Sequence, residues 1–283
     1  MIMKLRLFGI LMVFVALGMF SCDKIEPPYK QSGGEVGDGT TRKVLLEDYT
    51  GHTCVNCPSA AKVALELKEI YGENIILMGV HAGFFAMPQV SPFLMDLRTE
   101  AGETWDTFFG ISLAGNPKGM INRTSTGGIY YYNKGEWSSK VASIIEDKAR
   151  AKLAIDVAYN NTSRKLELKV TAEFLKTLSG AAKLQVLILE DSIVGAQRNN
   201  DVNIGPPVIE DYVHRHVLRG DINGSWGEQI GSNSGETVGS VIEKTYSYDV
   251  NPEWVDKHCS IIAYLYYAAG YEIIQVEEAH LIP

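Results

Sequence analysis

The rhythm of apolar and polar positions changes several times along the chain. Leu7 to Gly18 form an unbroken apolar run of twelve residues behind Lys4 and Arg6. That run is too short to cross a bilayer comfortably and has the length and basic flank of a secretory signal. Asp23 to Lys43 carry no apolar rhythm. They hold Pro27-Pro28 and the stretch Gln31-Ser32-Gly33-Gly34-Glu35-Val36-Gly37-Asp38-Gly39, a composition that cannot bury a core and predicts a flexible tether. From Val44 the pattern becomes regular. Val44 to Thr50 reads as a strand. Pro58 to Tyr71 repeats apolar residues at Ala60, Val63/Ala64, Leu67 and Ile70/Tyr71, a helical period, with Pro58 in the first turn and Gly72 as the stop. Ile75 to Val80 is a continuous apolar strand, the mark of burial on both faces. A helix within Phe93–Phe109 follows. Strands over Lys118–Arg123 and Ile129–Tyr132 then flank Gly127-Gly128, and a helix runs from Trp137 to about Ala151.

After Lys152 the period drops to two. Leu153, Ile155, Val157 and Tyr159 alternate with polar or small residues, as do Leu166, Leu168, Val170, Ala172 and Phe174, and Asn160-Asn161-Thr162-Ser163 makes a turn between them. Further strands are predicted over Leu184–Leu189, Val213–Leu218, Thr245–Val250, Ser260–Tyr267 and Glu272–Val276. A succession of strands and turns without helices predicts an antiparallel β-sandwich of immunoglobulin-like type.

Composition adds the compartment and excludes one class of partner. The chain of 283 residues is 46% hydrophobic and 21% charged, which is ordinary for a globular protein of about two domains. The net charge is -8, and it becomes -10 without residues 1–21, which contain Lys4 and Arg6 and no acid. An acidic chain without a basic patch argues against nucleic-acid binding. Met19-Phe20-Ser21-Cys22 closes the apolar run and resembles a bacterial lipobox, so Cys22 is the expected lipidated N-terminus of the mature chain and its attachment to a membrane.

The chemistry concentrates at Cys54-Val55-Asn56-Cys57, which follows a strand and opens a helix. A helix N-terminus presents free N–H groups and a positive dipole end, and both favour a thiolate on Cys54. A structural disulfide, a zinc site and free inert thiols are the competing readings. Closing so small a loop removes only about 2 kcal/mol of unfolded-chain entropy. Zinc needs a second ligand pair, and Cys259 stands alone, so no metal is expected. His214 and His216 share one face if they lie on a strand, where a polar face is the simpler reading. No cofactor is expected.

This arrangement resembles the thioredoxin superfamily. Asp48 lies six residues before Cys54, the spacing of the buried thioredoxin acid, and the resemblance makes it the proton acceptor for Cys57. It also implies that Asn116-Pro117, ahead of the strand Lys118–Arg123, is a cis-proline loop that holds the substrate backbone. Val55-Asn56 replaces the usual Gly-Pro between the cysteines. More closely, the run Val44 to Pro58, the block Asn116-Pro117-Lys118-Gly119-Met120-Ile121-Asn122-Arg123 and His216-Val217-Leu218-Arg219 resemble the twenty-eight-kilodalton outer-membrane-protein family. That resemblance implies an outer-membrane lipoprotein, periplasmic or surface-facing, of anaerobic gut or oral bacteria.

The expected organisation is a signal peptide over 1–21, a tether over 22–43, a thioredoxin-like α/β domain over 44–151 and a β-sandwich over 152–283. Two functions fit it. One is a thiol–disulfide oxidoreductase acting on a protein or small thiol or disulfide: Cys54 attacks, Cys57 resolves and Asp48 moves the proton. The other is a binding lipoprotein with a passive disulfide.

Overall fold

The computed structural model describes residues 29–31 and 41–282. The expected signal segment and Cys22 lie outside the described residues, as does most of the expected tether. Two parts of that tether are among the described residues. Tyr29–Gln31 forms strand β1, antiparallel to Ala158 and its neighbours. Thr41 pairs with Lys148, and the Arg42 side chain is buried against Asp147, Glu272 and the Ile273 carbonyl. Packing therefore begins before Val44, because Arg42 finds acidic partners far along the chain.

The first half runs β2 (Val44–Thr50), α1 (Cys57–Tyr71), β3 (Ile75–His81), α2 (Glu100–Phe109), β4 (Lys118–Ile121) and α3 (Trp137–Ile145). In α1 the buried residues Cys57, Ala60, Ala64 and Leu67 keep the helical period, and Gly72 ends the helix at φ 54°. Thr99 caps α2 by accepting from the Gly102 N–H, and both Glu100 and Glu103 sit in its first turn, where they complement the helix dipole. Three expectations fail locally. The helix expected to reach about Ala151 ends at Ile145, and Ala151 already opens the next strand. Ile129–Tyr132 is no strand: it makes single bridges, Thr126 to Ile129 and Gly119 to Tyr132, on either side of the turn. β4 stops at Ile121, because Asn122 and Arg123 both take positive φ, 45° and 47°. Asn122 tolerates that conformation because its side chain accepts from the Leu45 N–H at 2.7 Å and donates to the Lys43 carbonyl at 3.1 Å.

The second half contains β5 (Ala151–Asn160), β6 (Lys165–Phe174), β7 (Ala182–Glu190), β8 (Ile193–Arg198), β9 (Val208–His214), β10 (Val217–Asp221), β11 (Glu228–Ile230), β12 (Val241–Asp249), β13 (Cys259–Tyr267) and β14 (Ile273–His280). One sheet is ordered β1-β5-β6-β12. The other is ordered β14-β13-β7-β10-β3-β2-β4, with β11 added on β7. β8 and β9 form a separate hairpin.

The long sheet crosses the expected boundary at residues 151/152. β2 and β3 are parallel, β3 meets β10 in parallel, and β10 continues antiparallel into β7 and β13. The sandwich thus shares a sheet with the α/β half. The reason lies in β7 and β13, which are apolar on both faces. Val186, Ile188, Ile261 and Ala263 face the β5–β6 sheet. Leu187, Leu189, Ile262 and Tyr264 face a second core with Leu45, Trp105 and Met120. The joint itself is close: the Gly79 N–H donates to the His216 carbonyl at 2.8 Å, and a Cβ at Gly79 would stand 3.2 Å from the Arg215 carbonyl oxygen.

Inside the second core lies a buried ion pair. Arg123 donates from Nε and Nη2 to the two Glu47 carboxylate oxygens at 2.8 and 3.1 Å. Its guanidinium carbon sits 4.7 Å from the Trp105 ring centre and 5.2 Å from that of Tyr264. Burial opposes the charge on Arg123, but the Glu47 carboxylate more than offsets it, so the guanidinium pKa is raised. The pair ties β2, α2 and β13 to the turn after β4. Removing one partner strands the other charge in the core. Arg123→Met alone is expected to destabilise the fold by about 3–5 kcal/mol in urea unfolding, while Glu47→Leu with Arg123→Met is expected to recover a large part of that loss.

Candidate functional site

The cysteine turn grows from the end of β2. Gly51 is required there, because a Cβ would fall 2.4 Å from the Phe85 carbonyl. Thr53 then grips that carbonyl from its N–H at 3.1 Å and its hydroxyl at 2.9 Å. The Cys54 N–H donates to the Gly51 carbonyl at 3.0 Å, and the chain turns into α1. Cys54 and Cys57 are joined in a disulfide with their Cα atoms 5.5 Å apart. The helix starts at Cys57, so Cys54 stands three residues ahead of it and not in its first turn.

Both cysteines are 2% exposed, whereas Val55 between them is 40% exposed. Neither cysteine is more exposed than the other. The cover is the β8–β9 hairpin, which departs from the long sheet after β7 and returns to it at β10. The Arg198 N–H donates to the His52 carbonyl at 2.8 Å and the Asn200 N–H to the Val55 carbonyl at 3.0 Å. The Asn200 side-chain amide donates to Asn56 Oδ1 at 2.6 Å. Gln197, itself buried, donates from Nε2 to the Cys54 carbonyl at 3.0 Å and the Gly51 carbonyl at 3.3 Å. Asn199 holds the hairpin tip by donating to the carbonyls of Asp201 and Gly205. Sequence reasoning missed these residues, since Gln197-Arg198-Asn199-Asn200 has no apolar rhythm and lies some 140 residues from its partners in the chain.

Asp48 occupies β2 with Gly119 of β4 opposite it on one side and Gly79 of β3 on the other. The carboxyl is buried and its Oδ1 has no hydrogen-bond partner. Burial pushes its pKa up to about 7. It lines a cavity of about 320 Å³ together with Pro58, the residue after Cys57. The Asn116–Pro117 bond is cis. It precedes β4, whose Lys118 pairs with Tyr49, so it stands at the same end of the sheet as the cysteine turn. A second cis bond, Ser91–Pro92, lies in the segment carrying Phe93, whose ring stacks on His52 at 6.1 Å.

Three histidines are buried nearby. The rings of His81 and His214 are 5.4 Å apart, and burial lowers the pKa of His52, His81 and His214, the last to about 4. Burial thus favours the neutral imidazole at all three. Among the described residues no three His, Cys, Asp or Glu side chains gather as a metal site. The shared face expected for His214 and His216 does not form. Val213–Leu218 is broken into two strands, and His216 between them takes φ 51°. Cys259 is buried, donates to the Val255 carbonyl, and has its thiol pKa pushed up to about 12 by burial.

The raised Asp48 pKa has a linkage consequence. The carboxyl ionises at 3.8 in an exposed setting and near 7 in the fold, so ionisation opposes folding between these values and fully above them. Asp48→Asn is expected to stabilise the protein at pH 8, by up to roughly 4 kcal/mol, and to leave it unchanged near pH 3. Chemical unfolding at the two pH values measures the difference.

The model of the outer membrane protein Omp28 family matches residues 105–282. No curated protein matches the chain. Among solved structures, HBP35 of Porphyromonas gingivalis is similar with a TM-score of 0.60 at 15% identity, over 86% of this chain and 76% of that one, which is a likeness of fold. A domain of the outer membrane lipoprotein Omp28 from Porphyromonas gingivalis is 24% identical over 48% of this chain and 90% of that one, with a TM-score of 0.33. The family match extends over more than half of the sequence, and the protein belongs to the Omp28 family of the bacterial outer membrane.

Proposed function

We propose that this protein is an outer-membrane lipoprotein, anchored through lipid on Cys22, that serves as a binding module. In this reading residues 44–151 are a thioredoxin-like scaffold, residues 152–283 a β-sandwich joined to it, and the Cys54–Cys57 disulfide a passive clasp. The observation that carries the reading is the 2% exposure of both cysteines beneath the β8–β9 hairpin. Thiol–disulfide exchange needs an attacking thiolate to reach a sulfur atom. Backbone and side-chain bonds from Gln197, Arg198 and Asn200 hold the hairpin on the turn that carries both sulfurs. The location agrees with the family match. Among the described residues no helix is long and apolar enough to cross a membrane.

A second reading, thiol–disulfide exchange, is favoured by Asp48. A buried carboxyl with its pKa near 7 is suited to take a proton from a resolving thiol. In that reading a thiol such as glutathione first reduces the Cys54–Cys57 pair, and the Cys54 thiolate then attacks a substrate disulfide and releases one substrate thiol. Cys57 resolves the mixed disulfide to free the second thiol while Asp48 takes its proton, and Asn116-Pro117 holds the substrate backbone once the hairpin has moved away.

Thiol trapping separates the two. The native protein is incubated with reduced glutathione at pH 7, the glutathione is removed, and a maleimide is then added, beside a urea-unfolded control. The binding reading expects labelling of Cys54 and Cys57 in the control alone, and insulin-reduction rates equal for the wild type and Cys54→Ser. Rapid native labelling with turnover that Cys54→Ser abolishes would establish the exchange reading instead. The anchor has its own check: Cys22→Ala is expected to move the protein from the membrane to the soluble fraction, and unchanged membrane association would remove the lipid from the proposal.

A further inference from the structure

The cavity beside Asp48 has about 320 Å³ of space, the size of a small-molecule site, which spans roughly 300–1,000 Å³. Three elements enclose it: the outer face of α1, the β2–β3 pair, and the strand β9 with the turn that follows it. Its walls are apolar, with Leu46 and Leu77 from the sheet, Leu65 from α1 and Val213 from β9. Its polar groups are unevenly placed. Asp48 is nearly wholly buried and leaves Oδ1 without a partner. Lys62 and Arg215 have side chains 59% and 47% exposed, so they stand toward solvent. Among the described residues each cation has a distant acidic neighbour, Glu66 at 4.0 Å from Lys62 and Asp191 at 3.7 Å from Arg215. Such loose exposed pairs leave a charge free for another partner. His216 and Tyr212 complete the titratable lining, and burial keeps both uncharged, lowering the first pKa and raising the second.

We propose that this cavity binds one small apolar anion, with its hydrocarbon body against Leu46, Leu65, Leu77 and Val213 and its anionic head between Lys62 and Arg215. Apolar area removed from water drives entry, and the two cations fix orientation and select the sign of the head group. Asp48 does not oppose the anion below neutral pH, where burial keeps its carboxyl protonated. Lining drawn from three separate elements makes the site concave, which suits a dissolved molecule. This inference rests on the binding reading above and names the ligand class for it.

Calorimetric titration of the oxidised full chain with decanesulfonate tests the proposal, because a sulfonate keeps its charge at every pH used. One saturable site is expected. Decyltrimethylammonium, with the same chain and the opposite charge, is expected to bind at least tenfold more weakly. Ala61→Trp fills the cavity from the α1 side and is expected to weaken sulfonate binding at least tenfold. Lys62→Gln with Arg215→Gln alters only exposed side chains, so it folds independently of the cavity, and is expected to erase the preference for sulfonate over ammonium. Asp48→Asn is expected to remove a loss of affinity between pH 6 and pH 8 that the wild type shows. Absence of saturable binding, or equal affinity for both detergents in the wild type, would overturn the proposal. So would unchanged sulfonate binding in both cavity variants. These results leave the thiol-trapping outcome untouched, so a failed cavity and a failed passive disulfide are told apart.

Discussion

Strands β7 and β13 have no solvent face, and the rest of the molecule is arranged around that fact. Their side chains alternate between a core shared with β5 and β6 and a core shared with β2, β3 and α2. Alternation of polarity, which normally pins strand register, is unavailable to strands that are apolar on both sides. Size and chemistry take its place. Tyr264 and Tyr266 both fall on the side of Trp105, and Tyr264 meets the Arg123 guanidinium there, while Ile261, Ala263 and Leu265 fill the sandwich side. A one-residue slip would drive the tyrosines into the sandwich and leave the Glu47–Arg123 pair against aliphatic atoms.

The same constraint positions the cysteine turn. Because β7 lies in one sheet with β10 and β3, the chain between β7 and β10 leaves and re-enters the sheet next to the C-terminal end of β3. The parallel neighbour β2 ends at that same edge, and the turn carrying Cys54 and Cys57 begins there. The β8–β9 hairpin therefore needs no long reach to cover the disulfide. Its hydrogen bonds go mainly to backbone carbonyls of Gly51, His52, Cys54 and Val55, groups present whatever side chains the turn carries. The cover is thus a property of topology more than of side-chain matching.

Electrostatics divides between the two faces of β2. Glu47 and Asp48 are neighbours on β2 and point to opposite faces of the sheet. Glu47 meets Arg123 with two hydrogen bonds and stays paired. Asp48 faces a cavity with apolar walls, and burial lifts its pKa to about 7. One residue step along a strand separates a paired buried charge from a buried carboxyl whose Oδ1 has no hydrogen-bond partner.

Much of this was legible locally. The helical period of Ala60, Ala64 and Leu67, the apolar run Ile75–Val80 and the strict alternation in β5 and β6 arise within stretches of ten or fifteen residues, where backbone geometry alone dictates which side chains share a face. The pairing of Cys54 with Cys57 is likewise local, since the tight turn that leads into α1 brings them together. What only the tertiary structure decided depends on residues far apart. Gln197 and Asn200 cover cysteines some 140 positions away, Arg123 finds Glu47 across 76 positions, and Arg42 finds Glu272 across 230. The break at His216 belongs to the same class, because Val217 pairs with Gly79 of β3 while β9 turns away to β8. Periodicity records which face of an element is buried; it carries no record of what buries it, because that contact is made by chain segments whose approach no local dihedral preference fixes.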